Sequence, residues 1–470
     1  MSQAFEQVLS HFRGAVVVSG HGVAVQEPAV LQGEATDRLA WDAVFGDDAT
    51  KDAARKLLWE LGQAMGCRPA SIHDLYIARG RGECGGFTVP AINVRAMAYD
   101  TARAVFRAAR AADAGAIILE IARSEIAYTE QRPAEYVSVM IAAALREGYH
   151  LPLFIQGDHC QVNAKKYATD PEGEVGEVKK LIGEEVTAGF YNIDVDTSTL
   201  VDLAHETLDA QQRLNYERAA EITQFIRERE PKGVTVSVGA EIGEVGHKNS
   251  TVEELHAFMQ GYNRAIAALG VKEGISKISV QTGTSHGGVV LADGSIADVK
   301  LDLEALEALS ASARKDYGLG GAVQHGASTL PPDAFGNFPR VETAEIHLAT
   351  NFQNIVFDHP ALPAELRARM YAWLDANAQS ERKAGDTPEQ FYYKARKKAI
   401  GPFKKELWGL PADVRAAIGG DLEKTFAFLF AQLKVGGTAA IVRRFIHAPV
   451  QHHATWEPAL VAVDDADAGE

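Results

Sequence analysis

The sequence contains little cysteine and no excess of positive charge. Only three of its 470 residues are cysteines, and none of them forms a C-x-x-C pair. An odd number of cysteines without paired spacing provides no disulfide framework, so we expect a reducing, cytoplasmic setting. Lysine and arginine number 47 against 63 aspartates and glutamates, a net charge of −16. Because a nucleic-acid-binding surface needs clustered positive charge, we expect no nucleic-acid partner.

Long apolar runs are also missing. The longest, FAFLFAQL near residues 426–433, is far too short to span a bilayer. Residues 1–20 lack a basic segment followed by a long apolar core, so we expect neither a secretory leader nor a membrane partner. The composition, 46% hydrophobic and 23% charged, is ordinary for a globular protein.

What the sequence does contain, between residues 86 and 348, is a regular alternation of apolar runs with helical segments. The predicted strands are FTVPAINV (87–94), AIILEIA (116–122), LPLFIQ (151–156), FYNIDVD (190–196), VTVSVGAEI (234–242), KISVQTG (277–283), GAVQHG (321–326) and AEIHLA (344–349). Most are almost continuously apolar, which is typical of strands buried on both faces of a parallel sheet. Such an alternation predicts the α/β class and a (β/α)8 TIM barrel. A Rossmann-type open sheet would need a G-x-G-x-x-G turn after the first strand, and none follows it.

The segments outside this alternation predict two extensions. We expect an N-terminal accessory region at 1–85, a catalytic barrel at 86–360 and a helical C-terminal extension at 361–470. Within the first, residues 34–52 are acidic and of low regularity, whereas residues 53–66 form a clear helical pattern.

Polar residues follow the ends of several predicted strands, where the chemistry of a barrel is located. The histidines among them are His159, His286 and His325, and Asp158 immediately precedes the first. A lone histidine in a strand is more often a packing residue. Three at strand ends suit a divalent metal with a position left for substrate. Such a metal can polarise a carbonyl and stabilise an enediolate, while Asp158 moves a proton.

The order of six stretches resembles the class II, metal-dependent fructose-bisphosphate aldolases. They are VPAINV, GDHC, AGFYNIDVDTS, GAEIGEVG, TGTSHG and VQHGAS, within roughly residues 86–353. The resemblance implies a divergent lyase of carbohydrate metabolism, for example of glycolysis. Its reaction would be the reversible aldol cleavage of a ketose phosphate or bisphosphate, such as fructose 1,6-bisphosphate, through a metal-stabilised enediolate. It also implies a homo-oligomer.

The resemblance further implies roles for individual residues. His159, His286 and His325 match the ligands of the catalytic metal, usually zinc, with Mn²⁺, Co²⁺ or Fe²⁺ as alternatives. Asp158 matches the acid/base residue, and Glu241 and Asp196 match acids around a second metal position. Residues that match substrate-binding positions, some in loops that hold a phosphate and a monovalent cation, are Asn93, Gly287, Ser328, His347, Thr350 and Asn351.

Three departures from the family pattern leave the reaction open. The loop His-Gly-Gly-Ser-Gly is HGAST at 325–329, and the strand Asn-Ile-Asp-Thr-Asp is HLATN at 347–351. The glutamate of the family's mobile loop would have to be replaced by Glu244 or His247. An epimerase or isomerase of a sugar, sugar phosphate or sugar acid is therefore the alternative to an aldolase. A non-catalytic accessory subunit is a third, which the retained histidines disfavour.

Overall fold

The structure is a computed structural model that describes residues 2–19, 22–243, 248–283 and 301–452. Its strands are β1 (Val16–Ser19), β2 (Gly22–Val25), β3 (Pro69–Ala70), β4 (Val89–Asn93), β5 (Ile118–Ala122), β6 (Leu153–Gln161), β7 (Asn192–Asp196), β8 (Ser237–Glu241), β9 (Lys277–Val280), β10 (Ala322–Gln324) and β11 (Glu345–Leu348). Its helices are α1 (Gln3–Ser10), α2 (Glu34–Phe45), α3 (Asp48–Met65), α4 (His73–Gly80), α5 (Ala98–Ala111), α6 (Arg123–Thr129), α7 (Pro133–Glu147), α8 (Ala164–Thr169), α9 (Pro171–Ala188), α10 (Leu208–Arg227), α11 (Val252–Ala268), α12 (Leu303–Tyr317), α13 (Asn337–Arg340), α14 (Thr350–Asp358), α15 (Ala364–Asn377), α16 (Pro388–Ala395), α17 (Lys404–Trp408), α18 (Ala412–Gln432) and α19 (Ala439–Phe445).

Strands β4 to β11 form a closed parallel barrel. Each strand pairs in parallel with the next one along the chain, including β6 with β7. The last strand, β11, pairs with the first, β4, and this pairing closes the barrel. Every residue of β4, β5, β7 and β8 is buried, as expected when one face of a strand lines the barrel and the other meets helices. The predicted (β/α)8 barrel is confirmed, and each of its strands lies within or overlaps a predicted apolar run.

The helices around the barrel begin and end at residues that the sequence marks. Helix α7 has Pro133 in its first turn and is capped after Glu147 by Gly148, whose φ of 64° is left-handed. Proline fits a first turn because its missing N–H has no helical partner there, and glycine adopts the left-handed cap without steric cost.

The acidic stretch at 34–52, expected to be of low regularity, instead forms α2 and the start of α3. Leu39, Ala40, Ala43 and Val44 are buried, and α2 packs against α3 and α7. Since these apolar residues recur four apart, they form a single narrow face. Packing of that face stabilises a helix that the acidic composition alone did not indicate.

Both extensions contact the barrel. Strand β3 pairs with β6, and Tyr76 of α4 donates a hydrogen bond to Glu345 in the barrel interior. Helix α18 packs along α5. Among the described helices, none combines the length and apolarity needed to cross a membrane.

Candidate active site

A β-bulge in β6 brings Asp158 and His159 to the same side of the barrel wall. The strand continues to Gln161, beyond the end predicted at residue 156. Its pairing with β7 shifts register between Gly157 and Cys160, and His159 has a left-handed φ of 42°. Consecutive side chains of a regular strand point to opposite faces, and a bulge with one left-handed residue removes that constraint. Both side chains therefore reach the barrel mouth.

His159, Glu241, His325 and Asp196 form what we term the outer cluster. Nδ1 of His159 lies 3.3 Å from Oδ2 of Asp196 and 3.8 Å from Oε2 of Glu241. The rings of His159 and His325 are 4.2 Å apart between centroids. One donor atom each of His159, Glu241 and His325 lie within 4.8 Å of one another. Two imidazoles and a carboxylate at this spacing fit a divalent metal such as zinc.

Asp196 is held at the edge of this cluster by three hydrogen bonds. Its Oδ1 accepts from the backbone N–H of Ser198 at 3.0 Å and from the Ser198 hydroxyl at 2.7 Å. Its Oδ2 accepts from Nε2 of Gln161 at 2.6 Å. Burial opposes ionisation, but the contacts with His159 and these hydrogen bonds together lower the pKa of Asp196. The carboxylate is therefore ionised and restricted to one orientation.

Asp158 lies beside the outer cluster and is almost fully buried. Oδ2 accepts a hydrogen bond from Nδ2 of Asn93 at 2.9 Å. Oδ1 lies 3.1 Å from Nδ1 of His347 and 4.0 Å from Nε2 of His159. Burial by itself would raise the pKa of Asp158, but His159 and His347 outweigh it and hold that pKa well below the usual range. An ionised carboxylate in a dry site can accept a proton.

A second group of charged residues, which we term the inner cluster, lies beneath the mouth. Its members are Glu120, Asp194, Lys277, Glu345 and His347. They come from β5, β7, β9 and β11, and their side chains meet because all of them point into the barrel. Nζ of Lys277 lies 2.9 Å from Oδ1 of Asp194 and also pairs with Glu345. Burial and the charge of Asp158 raise the pKa of Glu120 to about 8.

Sequence reasoning missed this cluster apart from His347, although a signal was present. Glu120 and Asp194 interrupt otherwise apolar runs, and a charge in a strand buried on both faces is costly unless it is paired. Asp194 also precedes Asp196 by two residues, as Glu345 precedes His347. A spacing of two places side chains on one face of a strand, so both acids should point the same way as the site residues.

We expect Lys277→Met to lower the free energy of unfolding by about 3–5 kcal/mol, because it leaves buried carboxylates without their ammonium partner. Lys277 is fully buried, whereas Lys272 is exposed. Lys272→Met is therefore the matched control and should change stability by less than about 0.5 kcal/mol. Urea denaturation of the three proteins measures both. A loss below about 1 kcal/mol for Lys277→Met would show that the carboxylates are neutralised in another way.

The residues predicted to bind substrate lie in two places. Asn93 and His347 contact Asp158, and the ring of His347 lies 4.0 Å from that of His325. Ser328 and Asn351 instead line a cavity of about 300 Å³, beside Thr350 at the start of α14. The remaining predictions at this site lie outside the described residues: His286, Gly287, Glu244 and His247.

The Ser328 loop differs from an open phosphate site. Its hydroxyl oxygen accepts the backbone N–H of Ala349 at 2.6 Å. The adjoining cavity is lined largely by apolar side chains, including Leu330, Phe335 and Phe352. Lys424 also lines it, and its Nζ lies 2.8 Å from Asp421. The surroundings of Ser328 are thus less polar than recognition of a second phosphate would favour.

Comparisons with known proteins agree with the fold. The model of the class II fructose-bisphosphate aldolase family matches residues 81–405. No curated protein matches the chain significantly. A probable tagatose 6 phosphate kinase from Sinorhizobium meliloti 1021 superposes with a TM-score of 0.51 at 16% identity, covering 76% of this chain and 93% of that one. A likeness at this identity shows the fold alone.

Two further solved structures superpose less closely. A fructuronate-tagaturonate epimerase from Cohnella laeviribosi has a TM-score of 0.49 at 12% identity, covering 84% of this chain and 86% of that one. The fructose-bisphosphate aldolase from Campylobacter jejuni has a TM-score of 0.46 at 18% identity, covering 77% of this chain and 93% of that one.

Proposed function

This chain belongs to the class II fructose-bisphosphate aldolase family, and we propose that it catalyses a reversible, metal-dependent aldol cleavage of a ketose phosphate or bisphosphate. Fructose 1,6-bisphosphate is the reference substrate. The observation that carries the proposal is the position of Asp158, a buried acid beside a group of metal-ligand type formed by His159, Glu241 and His325. An aldol cleavage needs both a base and a polarised carbonyl. Asp158 can act as the base, and a metal held by the other three residues would polarise the carbonyl.

The outer cluster is the proposed metal position. His159 and His325 would hold the ion, with His286 as the third imidazole expected from the sequence, and Glu241 and Asp196 beside them. An imidazole-rich set favours zinc, although Mn²⁺, Co²⁺ and Fe²⁺ accept the same donors. When bound, the metal polarises the substrate carbonyl and stabilises the charge that develops on its oxygen.

Asp158 is the proposed base. Asp158 takes the proton of the hydroxyl on the carbon that leaves as the aldehyde, and the electron pair of the broken C–C bond stays on the ketone half; in the reverse direction Asp158 returns this proton. The carbon that keeps the electron pair must gain a proton to complete the product, and Glu244 and His247, the candidates that the sequence offers for that acid, lie outside the described residues. Asn93 donates to Oδ2 of Asp158, which holds the carboxylate in one orientation and leaves Oδ1 toward the histidines.

An epimerase or isomerase of a sugar, sugar phosphate or sugar acid is the second candidate. The observation in its favour is the Ser328 loop, where the hydroxyl oxygen already accepts the Ala349 amide and Ala327 replaces a glycine of the family pattern. Since a Cβ there restricts the backbone freedom that a phosphate loop uses, a substrate with a single phosphate or none fits this loop better than a bisphosphate.

We expect the metal-loaded protein to release triose phosphate from fructose 1,6-bisphosphate, because the family and the Asp158 site both favour aldol cleavage. Coupled oxidation of NADH through a triose-phosphate reductase measures the product, and chelator-treated protein is the control. If no ketose bisphosphate gives triose phosphate, the aldolase proposal is wrong. NMR of the same incubations, extended to ketose monophosphates and keto sugar acids, would then detect epimerisation.

We also propose a cytoplasmic homo-oligomer. The support for a reducing compartment is the three free cysteines, Cys67, Cys84 and Cys160, of which two are buried. The support for self-association is family membership together with the long C-terminal helices. Size-exclusion chromatography with light scattering tests the oligomeric part, and a single 50.7 kDa species would contradict it.

A further inference from the structure

We propose that the inner cluster is a second divalent-cation site, in which His347 and the carboxylates of Asp194, Glu345 and Glu120 bind the ion. One donor atom from each of these four residues lies within 4.8 Å of the other three. The proposal goes beyond the proposed reaction, which needs only the metal of the outer cluster. The two donor groups, that of the outer cluster and this one, have no residue in common.

The distances around His347 are those between neighbouring ligands of one ion. Nε2 lies 2.8 Å from Oε1 of Glu345 and 3.5 Å from Oδ2 of Asp194. Ligand atoms placed at roughly 2.0–2.2 Å from a metal lie about 3 Å from each other. The same atoms are thus close enough to be bridged by a cation, without any movement of the barrel strands.

Lys277 and Glu345 are satisfied by hydrogen bonds, but four other polar atoms of this cluster are not. Within the described ranges, neither ring nitrogen of His347 makes a hydrogen bond of acceptable geometry, nor does Oε1 of Glu120 or Oδ1 of Asp194. The residues are at most 5% exposed. Buried polar groups without such bonds are rare and costly, so atoms that approach one another without hydrogen-bond alignment indicate a missing shared partner.

The charge of the cluster also favours a cation. Glu120, Asp158, Asp194 and Glu345 bring four carboxylates together, and Lys277 is their one lysine partner among the described residues. Lys277 contacts Asp194 and Glu345, whereas Glu120 and Asp158 face Nδ1 of His347 at 3.0 and 3.1 Å. A divalent ion offsets two more negative charges with His347 neutral, and buried charges persist only where they are paired.

The ligand chemistry distinguishes the two sites. Three carboxylates and one imidazole suit Mn²⁺ or Mg²⁺ better than an imidazole-rich site does. Mn²⁺ accepts both kinds of donor, so it is the probe. Chelator-treated protein is reloaded with Mn²⁺, freed of excess ion, and its content is measured by mass spectrometry. Crystals of the loaded protein then locate each ion by its anomalous scattering.

We expect two equivalents of Mn²⁺ in the unmodified protein and one in His347→Asn, the amide that the family pattern carries at this position. His159→Asn should also retain one, because it removes the outer ion alone. His256→Asn is the matched control and should keep two, since that ring belongs to α11, outside both clusters, and lies 2.6 Å from the Tyr317 hydroxyl of α12. Glu120→Gln, of equal size, replaces His347→Asn if the latter does not fold.

If the unmodified protein binds one equivalent of Mn²⁺ and His159→Asn binds none, the inner site is overturned and the proposed function is left intact. The cluster would then be neutralised by a proton on His347. Two equivalents retained in both His347→Asn and Glu120→Gln would overturn it as well. No bound Mn²⁺ and no bound Zn²⁺ in any variant would overturn the outer site, and with it the proposed function.

Discussion

Asp158→Asn is expected to lower kcat by about 10²- to 10⁴-fold, the range typical for loss of a general base. The amide has nearly the shape of the carboxylate but cannot accept the substrate proton. Its oxygen can still accept the hydrogen bond that Asn93 donates to Oδ2 at 2.9 Å, so the pocket should keep its form. The measurement is steady-state kinetics with the substrate identified by the product assay, together with metal content.

The control for this prediction is Asp113→Asn, which changes an exposed carboxyl in the loop between α5 and β5, before the N-terminal end of a barrel strand, and should leave kcat within about twofold. Unchanged metal content in Asp158→Asn is part of the expected result, since Asp158 is proposed as a base and not as a ligand of the outer ion. A kcat close to that of the unmodified enzyme would show that another residue moves the proton.

His325→Ala is expected to weaken binding of the outer metal by more than the roughly 10- to 100-fold loss typical of removing a residue that only supports a ligand. Activity should be lost with it. His325 belongs to two of the candidate donor groups, one with His159 and Glu241 and one with Asp158 and His347. Among the described residues of the outer cluster, only His325 belongs to both of these groups.

Competition with a chromophoric chelator measures the affinity, and His256→Ala, on a surface helix, is the control. Restoration of activity by high zinc concentration in His325→Ala would be consistent with weakened binding. An affinity within a few fold of the unmodified protein, with normal activity, would exclude His325 from the metal site.

The barrel itself was predictable because its strands are buried on both faces. Burial of both faces produces runs such as AIILEIA, which the sequence displays without any knowledge of partners. The helix ends were predictable for a local reason too, since Pro133 and Gly148 act through backbone geometry. By contrast, α2 is stabilised by packing against α3 and α7. Its acidic composition did not indicate a helix in the sequence alone.

The sequence predicted which residues lie at the site better than it predicted how they are arranged there. Strand-end position placed His159, His325, Asp196 and Glu241 at one mouth, and the structure brings these four together. Strand alternation, however, would have put Asp158 and His159 on opposite faces. The bulge between Gly157 and Cys160 depends on pairing with β7, which is not visible in the order of residues.

The sequence by itself determined the fold class, the barrel strands and a set of candidate metal-ligand residues at strand ends, because burial and strand periodicity can be read from the order of the residues. Only the tertiary structure decided that Asp158 lies between Asn93 and His347, and that four carboxylates share the barrel interior with Lys277. The physical reason is that these contacts join strands far apart in the chain. Their energies depend on distance and burial, which exist only after the barrel has closed.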